Sequence, residues 1–190
     1  MRKFAFDDMA ETTKKRLANA MLDLLCNRPL SKLTIGDICA SCGLRRQSFY
    51  YHFRDKYDLA AWIFEQDYLS CCKGGGDLNS EKMMTRLLNR ISENIIFYRN
   101  AIESPAQNSL GDYILDFYIS MEEEALKKSM PCEELSPEMR FAIRSYSYAC
   151  IMHTRDWIRD PEWSAEQFAH LMYEEMPAFL KEAYRGKLEA

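Results

Sequence analysis

The chain is poor in the residues that interrupt helices. Seven glycines and six prolines are spread over 190 residues, and the stretches between them favour helix formers, which argues for an all-α fold. No window offers the roughly 18 consecutive apolar residues of a membrane span. The start of the chain is briefly basic and apolar, but Asp7, Asp8 and Glu11 interrupt it before a run of signal-peptide length forms. The expected location is therefore cytoplasmic. Histidine is scarce: His52, His153 and His170 are too few and too dispersed for a metal centre. A glycine-rich phosphate loop, a GxSxG elbow and an HExxH helix are all missing. The expectation is a chain that is not an enzyme and needs no cofactor and no metal. The seven cysteines are odd in number and scattered through helical patterns. Cys39 and Cys42 have CxxC spacing, but no second CxxC accompanies them. They read as packed thiols, and for the adjacent Cys71 and Cys72 a thiol sensor stays open beside packing.

Hydrophobic residues make up 47% of the chain, enough for a buried core. The net charge is −4, yet it is unevenly placed. Residues 1–60 hold eleven Lys/Arg against seven Asp/Glu, and residues 61–190 hold fourteen against twenty-two. A basic head on an acidic body is the footprint of a nucleic-acid binder, although solvated surfaces also reach such imbalances.

Apolar periodicity predicts helices at about 8–26, 34–41, 45–51, 55–72, 79–98, 107–129, 137–159 and 164–185. Asp8 and Glu11 look like a capping box, as do Ser164 and Gln167, and Ser136 precedes a proline at the first helical position. The triplet Gly74, Gly75 and Gly76 reads as a flexible joint. The expected organisation is a helix-turn-helix domain at 1–54, a connecting helix at 55–73 and a helical body at 77–190.

The informative stretch is residues 34–56. Thr34 can cap a short helix that has Asp37 in its first turn. Gly43 suits a left-handed turn, and a second short helix follows from Arg45. Two short helices joined in this way form a helix-turn-helix, which places the second helix in a major groove. Arg45, Arg46 and Gln47 stand at its N-terminal end, where arginine can grip guanine and glutamine can grip adenine. Ser48, Tyr51, His52 and Lys56 can donate to phosphates. On spacing alone, Arg45 and Arg46 also fit a solvated face, and the aromatic run also fits a core edge.

Gly43 and Leu44, the run from Ser48 to Phe53, and then Lys56 and Leu59 resemble the signature of the TetR family of regulators. Leu33, Thr34, Ile35, Ile38 and Cys39 fit the same pattern. This resemblance covers roughly residues 10–70. It implies a three-helix DNA-reading head, a fourth linking helix, and a body that dimerises through its last two helices. It also implies base contacts from Arg46, Gln47 and Tyr50, flanked by Arg45, and phosphate contacts from Thr34, Ser48, Tyr51, His52 and Lys56. Arg45 to Tyr50, then Trp62, Ile63, Phe64, Glu65 and Asp67, then Phe97 and Tyr98, are similar to the DhaS-like branch. That branch includes the activator of dihydroxyacetone-kinase genes and implies a kinase-like co-activator protein in place of a small-molecule effector.

The body carries no motif of its own. Its aromatic and methionine residues read as core, with Phe97, Phe117, Tyr118, Tyr148, Met152 and His153 as candidates for a ligand pocket. Tyr146, Ile151, Trp157, Phe168, Leu171, Met172 and Phe179 are candidates for a dimer interface. The expected partners are operator DNA, a second copy of the chain, and an effector or co-activator on the body. A helical interaction module without DNA binding is the alternative.

Overall fold

The computed structural model describes residues 2–72, 80–102, 110–129 and 134–185, with the backbone alone for residues 2–10. Every regular element among them is helical. In chain order they are α1 (Arg2–Leu25), a 3-10 turn (Leu30–Lys32), α2 (Ile35–Ser41), α3 (Arg46–His52), α4 (Lys56–Cys72) and α5 (Glu81–Glu93). There follow α6 (Ile95–Ile102), α7 (Leu110–Ser129), α8 (Pro137–Arg159), α9 (Ala165–Glu174) and α10 (Ala178–Tyr184). No described helix is long and apolar enough to cross a membrane. The glycine triplet at 74–76 lies outside the described residues.

Three expectations about the helices need correction. The first helix begins at Arg2, so Asp8 and Glu11 lie inside it and do not cap it. The helix expected over 79–98 is broken at Asn94 into α5 and α6. Asparagine competes for backbone hydrogen bonds and favours such ends, and here its carbonyl accepts from Tyr98 N at 3.1 Å. The helix expected over 164–185 stops at Glu174 and restarts at Ala178. Pro177 brings no N–H and disfavours helical dihedrals in the residue before it.

The chain divides into two compact units. The first comprises Met1–Gln66 and Asn94–Leu110, and the second Asp67–Glu93 and Gly111–Ala190. α4 therefore has residues in both. In the first unit, Leu17, Met21 and Leu25 of α1, Ile38 of α2, Phe49 of α3 and Leu59 of α4 are fully buried. In the second, Ile119, Leu126, Ile143, Tyr146, Met176 and Leu180 form one core cluster.

Three helical ends in the first unit are closed by side chains remote in sequence. Helix C-termini leave carbonyls without partners. Asn100 of α6 donates to Leu25 O at the end of α1, at 3.0 Å. Lys56 Nζ donates to Leu30 O, Ser31 O and Leu33 O around the 3-10 turn, at 2.7, 3.0 and 2.8 Å. Arg16 of α1 donates to Cys42 O at the end of α2, at 2.6 Å.

Candidate nucleic-acid interface

Between α2 and α3 the chain turns in four residues. Thr34 caps α2: its hydroxyl accepts from Asp37 N at 3.1 Å, and Asp37 accepts from Thr34 N at 3.0 Å. These bonds, foremost the one from the Thr34 hydroxyl, hold the Asp37 carboxyl below the usual carboxylate range. Gly43 adopts φ 66°, the left-handed turn that glycine makes without strain. Leu44 N then bonds back to Cys39 O at 2.9 Å, which fixes the exit of the turn.

α3 is anchored from behind. Phe49 is fully buried, and its ring lies 5.8 Å from that of Phe53, which in turn lies 5.9 Å from Trp62 of α4. This aromatic row sets the rotation of α3 about its own axis. Arg45, Arg46, Gln47 and Tyr50 are all exposed. Tyr51 is 82% exposed and Tyr50 58%. Ser48 and His52 are half-buried at the rim. The Tyr51 and His52 rings meet edge to face at 4.9 Å. Burial, and then the charge of Lys14 on α1, push the His52 pKa down. His52 is thus neutral at pH 7 and can offer a phosphate one N–H.

Two of the expected phosphate contacts are placed differently. Lys56 has three N–H donors, and all three rest on the carbonyls of the 3-10 turn. The Lys56 ammonium is thus a cap in this structure, and reaching a phosphate would uncap the turn. Thr34 is exposed, but its hydroxyl proton goes to Asp37 Oδ2 at 2.7 Å. That leaves Ser48, Tyr51 and His52 on the outer face. Sequence reasoning missed Arg16 and Asn100 as caps, because both bonds join residues distant in the chain. It counted Arg16 only as basic charge and read Lys56 as a phosphate contact.

The six residues expected to line a ligand pocket are not brought together. Phe97 is buried in α6, in the first unit. Phe117 and Tyr118 of α7 pack edge to face around Tyr68, at 5.0 and 6.2 Å. Tyr148 and Met152 are exposed on α8. His153 is exposed and lines an open concavity of about 640 Å³ between α8 and α9, with Ala142, Tyr146, Cys150 and Met172.

Of the residues expected at a dimer interface, Tyr146, Trp157 and Phe168 are buried inside the second unit. Tyr146 donates to Met172 O at 2.9 Å, and Trp157 donates to Trp163 O at 2.8 Å while its ring stacks on Phe168. Leu171 of α9, also expected there, is exposed, as are Phe141, Tyr148 and Met152 along one face of α8 and Trp163 just after it.

The second unit also buries one carboxyl. Glu122 of α7 and Ser147 of α8 are each 2% exposed. Ser147 Oγ lies 2.8 Å from Glu122 Oε2 and 3.0 Å from Ile143 O, and one hydroxyl proton cannot serve both. A protonated Glu122 resolves this by donating to Ser147, which then donates to Ile143. Desolvation does push the Glu122 pKa up to about 7. Burial likewise raises the thiols of Cys71 and Cys72, which makes both poor nucleophiles at neutral pH. Among the described residues, no group of three or more His, Cys, Asp or Glu could hold a metal ion.

A glycine turn followed by a helix with a buried aromatic back and a basic, aromatic front defines a helix-turn-helix module. Residues 17–62 match the tetR family of bacterial regulatory proteins, and residues 79–176 match a transcriptional regulator C-terminal region. The chain belongs to the tetR family of bacterial regulatory proteins. It is 32% identical over 88 residues to the HTH-type dhaKLM operon transcriptional activator DhaS of Lactococcus lactis, a stretch covering 46% of this chain and 47% of that protein. It is also 32% identical over 56 residues to the HTH-type transcriptional regulator AcrR of Shigella flexneri, covering 30% of this chain and 26% of that protein. The chain thus spans about half or less of the curated relatives it matches. A solved structure titled dihydroxyacetone kinase operon activator DhaS shares the fold. Its TM-score is 0.60 at 23% identity, over 89% of this chain and 96% of that one. NalD of Pseudomonas aeruginosa shares it at TM-score 0.58 and 19% identity, over 88% of this chain and 94% of that one.

Proposed function

We propose that this chain binds a palindromic operator as a homodimer. The N-terminal end of α3 enters the major groove, where Arg45, Arg46, Gln47 and Tyr50 read base edges. Ser48, Tyr51 and His52 hold the flanking phosphates. The observation that carries this reading is the exposure of Tyr50 and Tyr51 beside two arginines, on a helix whose other face is locked by Phe49. Large aromatics left in water next to cations suit a partner that accepts hydrogen bonds and carries negative charge.

Selection from a pool of randomised duplex DNA tests it. Enrichment of an inverted repeat is expected, with half-sites about one helical turn apart or a multiple of that, and with affinity falling steeply as salt rises. Recovery of an unchanged random pool would refute it.

The likeness to the Lactococcus activator supports a narrower reading, in which the chain activates dihydroxyacetone kinase genes. Loss of the gene then lowers their transcripts in the host, and unchanged transcripts would refute that role. Control belongs to an effector on the second unit, either a small molecule or a partner protein. It acts through α4, whose residues belong to both units. Such an effector must bind one DNA-affinity state better than the other, since equal affinity shifts nothing.

A further inference from the structure

Gly36 stands in the first turn of α2, where glycine is an unfavourable choice for a helix. Its backbone does not require glycine, since Gly43 alone among the described glycines has a positive φ. What the missing side chain permits is a close approach. An atom at the Cβ position of residue 36 would lie 2.6 Å from Nη2 of Arg46 and 3.4 Å from its Cζ and Nε. The Arg46 guanidinium, which starts from the first residue of α3, therefore lies against the first turn of α2. Asp37 is the next residue there. Its carboxylate, held ionised by Thr34 and 3.4 Å from Arg28, adds an attractive field for Arg46.

An arginine with a free side chain samples many rotamers, and holding it in a complex costs that freedom. One lodged in a slot has fewer paths, so its planar fork meets DNA from a defined direction. We propose that Gly36 is a positioning residue for sequence readout: the slot it leaves sets the path of Arg46, so that α2 helps to decide which base edge an α3 arginine reaches. This rests on the operator-binding reading above. A Cβ at position 36 would displace only the far end of a flexible side chain. Its effect falls on where Arg46 points and not on whether the head folds.

The test is selection from randomised duplex DNA with the full chain, its Gly36→Ala, Arg46→Ala and Arg46→Lys variants, and the Gly36→Ala/Arg46→Ala double variant. Thermal melts are run alongside. Gly36→Ala is expected to melt no lower than the parent. It should lose roughly tenfold in preference at one base position of each half-site and leave the other positions alone. Adding Gly36→Ala to Arg46→Ala should change nothing further. Arg46→Lys keeps Gly36 but replaces the fork with a point charge, and should relax the same position. An unchanged motif for Gly36→Ala would overturn the inference, as would equal weakening on every sequence or an effect that persists without Arg46. If Gly36→Ala fails to fold, Arg46→Lys decides alone, and an unchanged motif there overturns it. A parent chain that selects no motif removes the operator reading and this inference with it, an outcome distinct from a parent motif that Gly36→Ala leaves intact.

Discussion

Cations in the first unit do two kinds of work, and their hydrogen bonds separate them. Lys56 closes three carbonyls, while Arg45 stands exposed at the start of α3. Hydrogen bonds from charged donors contribute roughly 1.5–3 kcal/mol. Lys56→Met should therefore lower the unfolding free energy by an amount of that order in a urea titration. Its log-log salt slope for DNA binding should stay at the parent value, because a capping ammonium releases no counterions from DNA. A shallower slope for Lys56→Met would make it a phosphate contact.

Glu122 predicts a pH dependence. In the unfolded chain its carboxyl ionises near 4.5, and in the folded chain near 7. Between these values the folded state alone holds the proton, so stability falls as pH rises through that window, by up to roughly 3 kcal/mol. Glu122→Gln keeps a donor to Ser147 and should flatten this slope, leaving the variant more stable than the parent at pH 8. Tyr118, Tyr146 and Cys150 also lie in the field of Glu122, but their own titrations lie far above the window. The outer face of α3 was legible in the sequence, because Gln47 and Tyr51 fall opposite Phe49 on a helical wheel. Lys56 was not, since its carbonyl partners are 23 to 26 residues away.

At the scale of the element, caps were the most readable feature. Ser136 and Ser164 cap α8 and α9 as their spacing predicts, and Ser164 with Gln167 completes a capping box. Ser164→Ala should cost about 1 kcal/mol of stability, read as a shift in urea midpoint at unchanged slope; no shift would mean that α9 is held by its packing alone. Breaks within long apolar patterns were harder to read. Periodicity runs on through Asn94 and Pro177, since apolar residues on both sides keep helical spacing, yet the helices end there. The 3-10 turn was missed for a related reason: three residues are too few to show a period.

For the whole molecule, the apolar face of α8 decides the expected assembly. Phe141 is 74% exposed, and Tyr148 and Met152 are about half exposed. A second copy seated there by two-fold symmetry would cover them and bring two reading helices to one operator. Met152→Glu should give a folded monomer by light scattering at micromolar concentration, with loss of palindrome binding. A dimer that survives both this change and Tyr148→Glu would place the interface elsewhere. All-helical architecture and a reading head were legible at this scale. The division into units was not, because the chain re-enters the first unit at Asn94–Leu110, and nothing in the local sequence there marks a return.

That return has a practical consequence. The bond from Asn100 to Leu25 O closes the end of α1, yet Asn100 lies far beyond the stretch that matches the family's DNA-reading region at residues 17–62. A graft of residues 1–62 onto another regulator's body would leave that carbonyl to whatever the recipient supplies. Chimaeras cut within α4 at residue 62 should therefore express less stably than chimaeras that carry α6 with the head. In this chain the natural unit of exchange is discontinuous, and shuffling by simple crossover, in the laboratory or in evolution, would tend to separate its parts.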